Sequence, residues 1–174
     1  MRDLAGRLDA SYVCLGEQDA FLYDSADVRL RLIEAMRAVG PEVVFTHFSP
    51  DFNTDHMAVN TLVRQCAMLL GLATLHTESA PCASPAVFMV EPSGGFEFDA
   101  THYVDMTAYV EGKSSLAACH ASQDELVKVW HGYGLAEWVT RASQRRGEEC
   151  GVPHAEAFRP MLARKLVKAG QLLP

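Results

Sequence analysis

The stretch Thr46-His-Phe-Ser-Pro-Asp-Phe-Asn-Thr-Asp-His56 holds His47, Asp51, Asn53, Asp55 and His56 within 11 residues. An imidazole changes charge near neutral pH, and a carboxylate can fix which of its nitrogens carries the proton. Histidine and carboxylate together also form the ligand set of a hydrolytic zinc site. Asp55 stands next to His56 and can either orient that ring or cap a helix. An Asp-His pair at a helix start is also what a simple cap beside a surface imidazole looks like.

Such a cluster needs a rigid element on each side. Residues 42–47, Glu-Val-Val-Phe-Thr-His, read as a buried parallel strand. A helix is expected from about 55 to 70, with Val59, Leu62, Val63, Cys66, Leu69 and Leu70 as its apolar stripe and Gly71 closing it. Strand, polar loop and helix in that order put side chains at the carboxyl edge of a sheet, where α/β proteins keep their sites. Around this unit the pattern predicts a strand at 11–15, a helix at 26–39 stopped by Gly40-Pro41, and a strand at 86–91 with a turn at 92–95. A further strand is expected at 101–106 and a helix at 113–120. Ser122-Gln-Asp-Glu125 has the form of a capping box opening a helix over 123–146. The last 20 residues read as a loop and a short terminal helix. Alternation of strands and amphipathic helices indicates an α/β architecture, and no linker divides the chain.

The composition narrows the function classes. The chain has 174 residues, 49% hydrophobic and 21% charged, which suits one globular domain. Fifteen Lys+Arg against 22 Asp+Glu give a net charge of −7 with no basic block. That balance argues against nucleic acid and anionic membrane surfaces as partners. No apolar run is long enough for a membrane helix, and the first ten residues are too polar for a secretory segment. Cys14, Cys66, Cys82, Cys119 and Cys150 are widely spaced without a C-x-x-C pair. The set suits a reducing, cytoplasmic setting better than a disulfide framework.

The 46–56 stretch resembles the carboxyl-side metal motif of the LmbE-like (PIG-L) deacetylase family, T-H-x-x-x-D-x-H-x-D-H. Three further segments are similar to that family in the same order. Tyr103-Val-Asp-Met-Thr107 resembles its Y-V-D-I-T, and Lys113 through Gln123 its K-x-x-A-L-x-x-H-x-S-Q. Arg146-Gly147 with Ala155-Glu-Ala-Phe158 resembles its closing R-G and A-E-A-F. The likeness spans about residues 10–160. It implies a Rossmann-like three-layer α/β/α sandwich with a mainly parallel sheet. It implies a divalent metal, usually zinc, and hydrolysis of the N-acetyl group of an amino-sugar conjugate or related small N-acylated metabolite.

By the same resemblance His56 is a metal ligand, and Asp55 is a general acid/base or orients the histidine. Asp24, Asp51, Asn53 and His120 face the substrate. Asp24 could equally cap the 26–39 helix, and His120 could equally sit at a helix terminus. Asn53 stands where the family more often has a second histidine, and asparagine cannot titrate. Glu156 and Phe158 read as packing residues. The family's opening H-P-D-D, which supplies two ligands and the water-activating carboxylate, has no counterpart in this chain. The resemblance therefore implies an N-terminally truncated domain, with weak or absent zinc binding and no activity on its own. His47, Asp51, His102, His120 and His154 are the conceivable replacement ligands. It also implies apolar sheet surface through which an oligomer could form. The alternative is a non-catalytic module that binds a sugar or a partner protein.

Overall fold

The computed structural model describes residues 1–163. The described residues form two compact units, Met1–Tyr12 with His102–Ala157, and Val13–Thr101 with residues 158–163.

The second unit carries the 46–56 stretch. Helix α2 (Ala26–Val39) begins at Ser25, whose hydroxyl accepts the Val28 N–H at 3.2 Å. It ends at Gly40, held at φ +60°, where glycine is favoured. Strand β1 (Val43–His47) leads through a loop to α3 (Thr54–Leu69), and β2 (Ala86–Val90) lies parallel to β1 with Val43 opposite Ala86 and His47 opposite Val90. The core is the meeting of two helical stripes with one strand. Ile33 and Met36 of α2 pack with Val63, Cys66 and Ala67 of α3, with Leu70 just past it, and with Val87 of β2. Those spacings of three and four residues put each set on one helix face. Val44 and Thr46 of β1 turn toward this core, whereas Val43 and Phe45 are exposed, as the period of two requires.

The first unit contains α1 (Arg2–Arg7), β3 (His102–Asp105), α4 (Val110–Ala117), α5 (Ala121–His131) and α6 (Leu135–Cys150). Strand β4 (Ala155–Pro160) starts in this unit and ends in the other. Lys113 of α4 reaches both Ser143 of α6, at 3.0 Å, and Glu156 of β4, at 2.6 Å. Tyr103 donates to Glu149, which pairs with the nearly buried Arg146. The motif residues Tyr103, Lys113, Arg146 and Glu156 thus tie this unit together.

In the second unit β1, β2 and the end of β4 lie in that order, and in the first unit β3 neighbours the start of β4. The α/β class is as expected, but only the β1–β2 pair fits a mainly parallel sheet. β4 runs antiparallel to β2, with Met89 opposite Arg159 and Val90 opposite Phe158. The last 20 residues, which contain two prolines, read from sequence as a loop and a short helix, yet 155–160 form a strand. Pro153 lies before the strand and Pro160 at its end, where a missing N–H costs the ladder little. The short terminal helix expected beyond lies outside the described residues.

Two other expectations differ. Residues 11–15 form no strand, and Tyr12 and Val13 are exposed, so this run does not enter the core as a buried strand would. The helix expected over 123–146 is two helices. Gly132, at φ +77°, ends α5. The Asp124 carboxylate then accepts the Leu135 N–H at 2.7 Å and so caps α6. A Cβ on Gly134 would stand 2.6 Å from that carboxylate, so glycine leaves it room. The capping box does not form: α5 starts after His120 without a side-chain cap. All five cysteines are free thiols. No described helix is long and apolar enough to cross a membrane.

Candidate functional site

The site is built where β1 hands over to α3. Phe48, next after the strand, is buried and meets Phe98 edge-on at 5.0 Å, with the Arg159 guanidinium over its ring. That anchor fixes the start of the loop. Further along, the Asp51 carboxylate accepts the Asn53 N–H at 2.9 Å and folds the chain back. Asn53 caps α3: its side-chain oxygen accepts the Asp55 N–H at 2.8 Å and the His56 N–H at 3.4 Å. One turn beyond His56, buried Asn60 donates to the His47 carbonyl at 2.7 Å. His56 and Asn60 are four residues apart and so share the helix face turned to β1.

The two imidazoles meet there. Their rings stack at 4.0 Å with planes 4° apart. Asp51 Oδ2 lies 2.9 Å from His56 Nδ1, and the Asp51 side chain is fully buried while the His56 side chain is 29% exposed. A buried carboxylate in that position favours the tautomer with the proton on Nδ1. It leaves Nε2 of His56 as the reactive nitrogen, able to take or give a proton. Burial, and then the neighbouring His56, hold the His47 imidazole below its ordinary value, against the opposing pull of Asp51. His47 is thus predominantly neutral at pH 7.

The other expected residues are placed differently. The Asp55 carboxylate accepts the backbone N–H groups of Ala20, at 2.7 Å, and Leu22, at 3.3 Å. It holds the 20–22 segment, while Asp51 does the orienting of His56. Asn53 is a cap, with its oxygen already engaged. Asp24 makes a two-pronged pair with Arg29 at 2.5 Å, and that guanidinium keeps its carboxyl below the usual carboxylate range. Ser25, and not Asp24, caps the 26–39 helix. His120, His102 and His154 belong to the first unit. His120 immediately precedes α5.

A catalytic zinc takes about three protein ligands. Among the described residues no group of three or more His, Cys, Asp or Glu side chains could hold a metal ion. The stacking adds a geometric reason. Imidazole lone pairs lie in the ring plane, so rings stacked 4.0 Å apart aim theirs along parallel planes and do not converge on one ion. The described donors fall short of a zinc site. What they do form is an oriented imidazole suited to proton transfer.

Sequence reasoning placed Asp51 toward the substrate and missed its hold on His56. The signal was its position five residues before His56, across a helix cap that turns the chain back. It also passed over Phe52 and Phe96, which are 74% and 79% exposed.

No protein-family model matches the chain. No characterised protein matches it by sequence. Solved structures do match. A conserved protein from Thermus thermophilus is 25% identical at a TM-score of 0.79, over 96% of this chain and 74% of that one. The 4-carboxy-2-hydroxymuconate hydratase from Pseudomonas putida is 22% identical at 0.79, over 97% and 71%. The N,N'-diacetylchitobiose deacetylase from Pyrococcus horikoshii, in complex with an inhibitor, is 22% identical at 0.74, over 92% and 61%. The chain therefore has the LmbE-like fold that the four sequence segments implied.

Proposed function

We propose that this chain is a hydrolase module acting on the N-acyl group of an amino-sugar conjugate or a related small N-acylated metabolite. The observation that carries the reading is the Asp51–His56 pair, set where β1 gives way to α3. The fold shared with a chitobiose deacetylase supports the reaction class. In this reading Nε2 of His56 takes a proton from water as it attacks the amide carbonyl, and returns it to the departing amine. The buried Asp51 carboxylate stabilises the imidazolium formed between those steps. Neutral His47, stacked on the same ring, adds no competing charge.

The test is acetate release from N-acetylglucosamine glycosides by the purified chain, compared with its His56→Gln variant. General acid–base catalysis contributes about 10²–10⁴-fold, so His56→Gln should lower the rate by that order. Release that is unaffected by His56→Gln would overturn the reading. A second reading, a non-catalytic module that binds the same sugars, is favoured by the donor set, which falls short of a zinc site among the described residues. Saturable sugar binding without acetate release would select it.

A further inference from the structure

A cavity of about 270 Å³ opens beside the reacting pair, in the second unit, and nothing in the proposed reaction uses it. Its walls come from two loops. The loop after β1 gives Pro50 and Phe52, and the loop after β2 gives Pro92 and Phe96. The buried Phe48–Phe98 edge contact ties the two loops to one another. The Phe52 and Phe96 rings of the lining stand largely in solvent, at 74% and 79% exposure. Two aromatic rings exposed on either side of one cavity are an unusual use of apolar surface.

The backbone before and after Phe96 is unusual, and it leaves the ring room beside Gly94. Gly94 and Gly95 have φ of +80° and +70°, and Glu97 adopts +58°, a conformation that side-chain-bearing residues rarely take. A Cβ on Gly94 would stand 2.7 Å from the Phe96 ring, so only glycine lets the ring lie there. On the other wall the Phe52 ring meets His56 nearly edge-on, with centroids 6.4 Å apart. The cavity is therefore next to the imidazole that handles the proton.

The chemistry of the lining identifies the occupant. Asp51 contributes to the cavity, but its carboxylate is engaged by His56 and Asn53. Ser93 and the exposed Glu97 are the remaining polar residues of the lining. Sugars need several directed hydrogen bonds, and this lining offers few. The volume exceeds the roughly 150 Å³ that holds a benzene and falls just under the range for drug-sized ligands. We propose that this cavity is a subsite for one uncharged aromatic ring attached to the substrate, so that the preferred substrates are aryl conjugates of the N-acylated sugar. Glu97 at its edge disfavours an anionic ring. This inference rests on the hydrolase reading for the identity of the sugar part.

Calorimetric binding of phenyl and methyl glycosides of N-acetylglucosamine to the whole chain is the test. The phenyl glycoside should bind at least about tenfold more tightly, a small share of what a well-filled apolar pocket can give. Phe52→Ser with Phe96→Ser should bring it down to the affinity of the methyl glycoside; both rings are exposed, so the fold does not depend on them. A 4-carboxyphenyl glycoside should bind more weakly than the phenyl one, and Glu97→Gln should narrow that gap. Equal affinities of phenyl and methyl glycosides, or a preference that survives the double variant, would overturn the subsite. Acetate release measured alongside separates the two ideas. Release without aryl preference sinks the subsite alone, and aryl preference without release sinks the hydrolytic reading alone.

Discussion

Asp51 Oδ2 lies 2.9 Å from Nδ1 of His56, across the turn that Asn53 caps. Asp55, adjacent to His56 in sequence, points the other way, to the backbone of Ala20 and Leu22. In the first turn of a helix, neighbouring side chains diverge by about 100°, so adjacency in sequence separates them. Replacing each carboxylate should give different results. Asp51→Ala should cost some stability as the Asn53 N–H loses its acceptor, shift the His56 tautomer seen by nitrogen NMR, and reduce any turnover by about 10–100-fold. Asp55→Ala should leave the tautomer alone and cost about 1–2 kcal/mol of stability as two backbone donors lose their acceptor. A tautomer change in Asp55→Ala would show that the assignment is reversed.

Much of the second unit was legible because its signals are local. The 26–39 helix has a regular stripe and a closing glycine, and its observed bounds agree with that reading, although Ser25 caps it where Asp24 was the cap weighed. The 42–47 and 86–91 runs are β-branched and apolar and fold as β1 and β2. What was not legible depends on partners distant in the chain. β4 is a strand because Met161 and Pro160 come back against Val87 and Phe88 of β2. The 11–15 run has similar local character and forms no strand. At the site, the residue types in 46–56 were readable, but their division of labour was not. That division is set by where the cap turns the chain, which decides that Asp51 reaches the ring and Asp55 the 20–22 segment.

Asn53 illustrates the same point energetically. Its oxygen serves two N–H groups at the start of α3, so it works as a cap whether or not it meets a substrate. Asn53→Ala should lower stability by about 1 kcal/mol in urea unfolding, and Asn53→Asp should be close to neutral. Because His56 sits in that first turn, the alanine variant should also broaden the His56 ring signals. Full stability in Asn53→Ala would remove the cap from the account.

Arg37 is the clearest buried charge. It is 5% exposed and donates to the carbonyls of Leu70, Leu72 and Leu75 and to the Thr77 hydroxyl, at distances of 3.0, 2.7, 2.8 and 2.5 Å. Helix α3 ends at Leu69 without a left-handed glycine, and this guanidinium answers the carbonyls that follow. Arg37→Met should preserve much of the volume but strand those acceptors, at a cost of about 2–4 kcal/mol. Arg37→Lys, with fewer donors and no fork, should fall between. A methionine variant as stable as the parent would show that water replaces the guanidinium without loss.

Glu34, one turn before Arg37 on α2, holds the same region from the other side. It accepts the Ser79 N–H at 3.1 Å and the Ser79 hydroxyl at 2.5 Å, and the hydroxyl bond, then the backbone bond, keep its carboxyl below the usual range. A carboxyl with a lowered folded value stabilises the fold above its unfolded value of 4.5, and that contribution fades as pH falls through the folded value. Glu34→Gln should therefore be less stable at neutral pH and show a shallower loss of stability below about pH 4.5 in acid titrations followed by circular dichroism. Parallel acid curves for the two proteins would remove Glu34 from the acid response.

Gly147 tests the first unit. It lies in the last turn of α6, and its position is closed by the chain that doubles back after Gly151. A Cβ there would stand 2.4 Å from the Val152 carbonyl oxygen and 2.8 Å from the Pro153 carbonyl carbon. Both are backbone atoms, so no side chain can swing away to make room. The Val152 N–H also donates to the Gly147 carbonyl at 3.0 Å, which fixes the turn against the helix. Alanine normally favours a helix by about 1 kcal/mol over glycine. Here the overlap should win, because moving the 152–153 backbone also disturbs the start of β4 and the Lys113–Glu156 pair. Gly147→Ala should destabilise the chain by about 1–3 kcal/mol in urea unfolding. Gly112→Ala in α4, where an added Cβ meets nothing within 4 Å, should be neutral or stabilising under the same conditions. If both substitutions shift the midpoint equally, helix propensity and not close approach governs position 147.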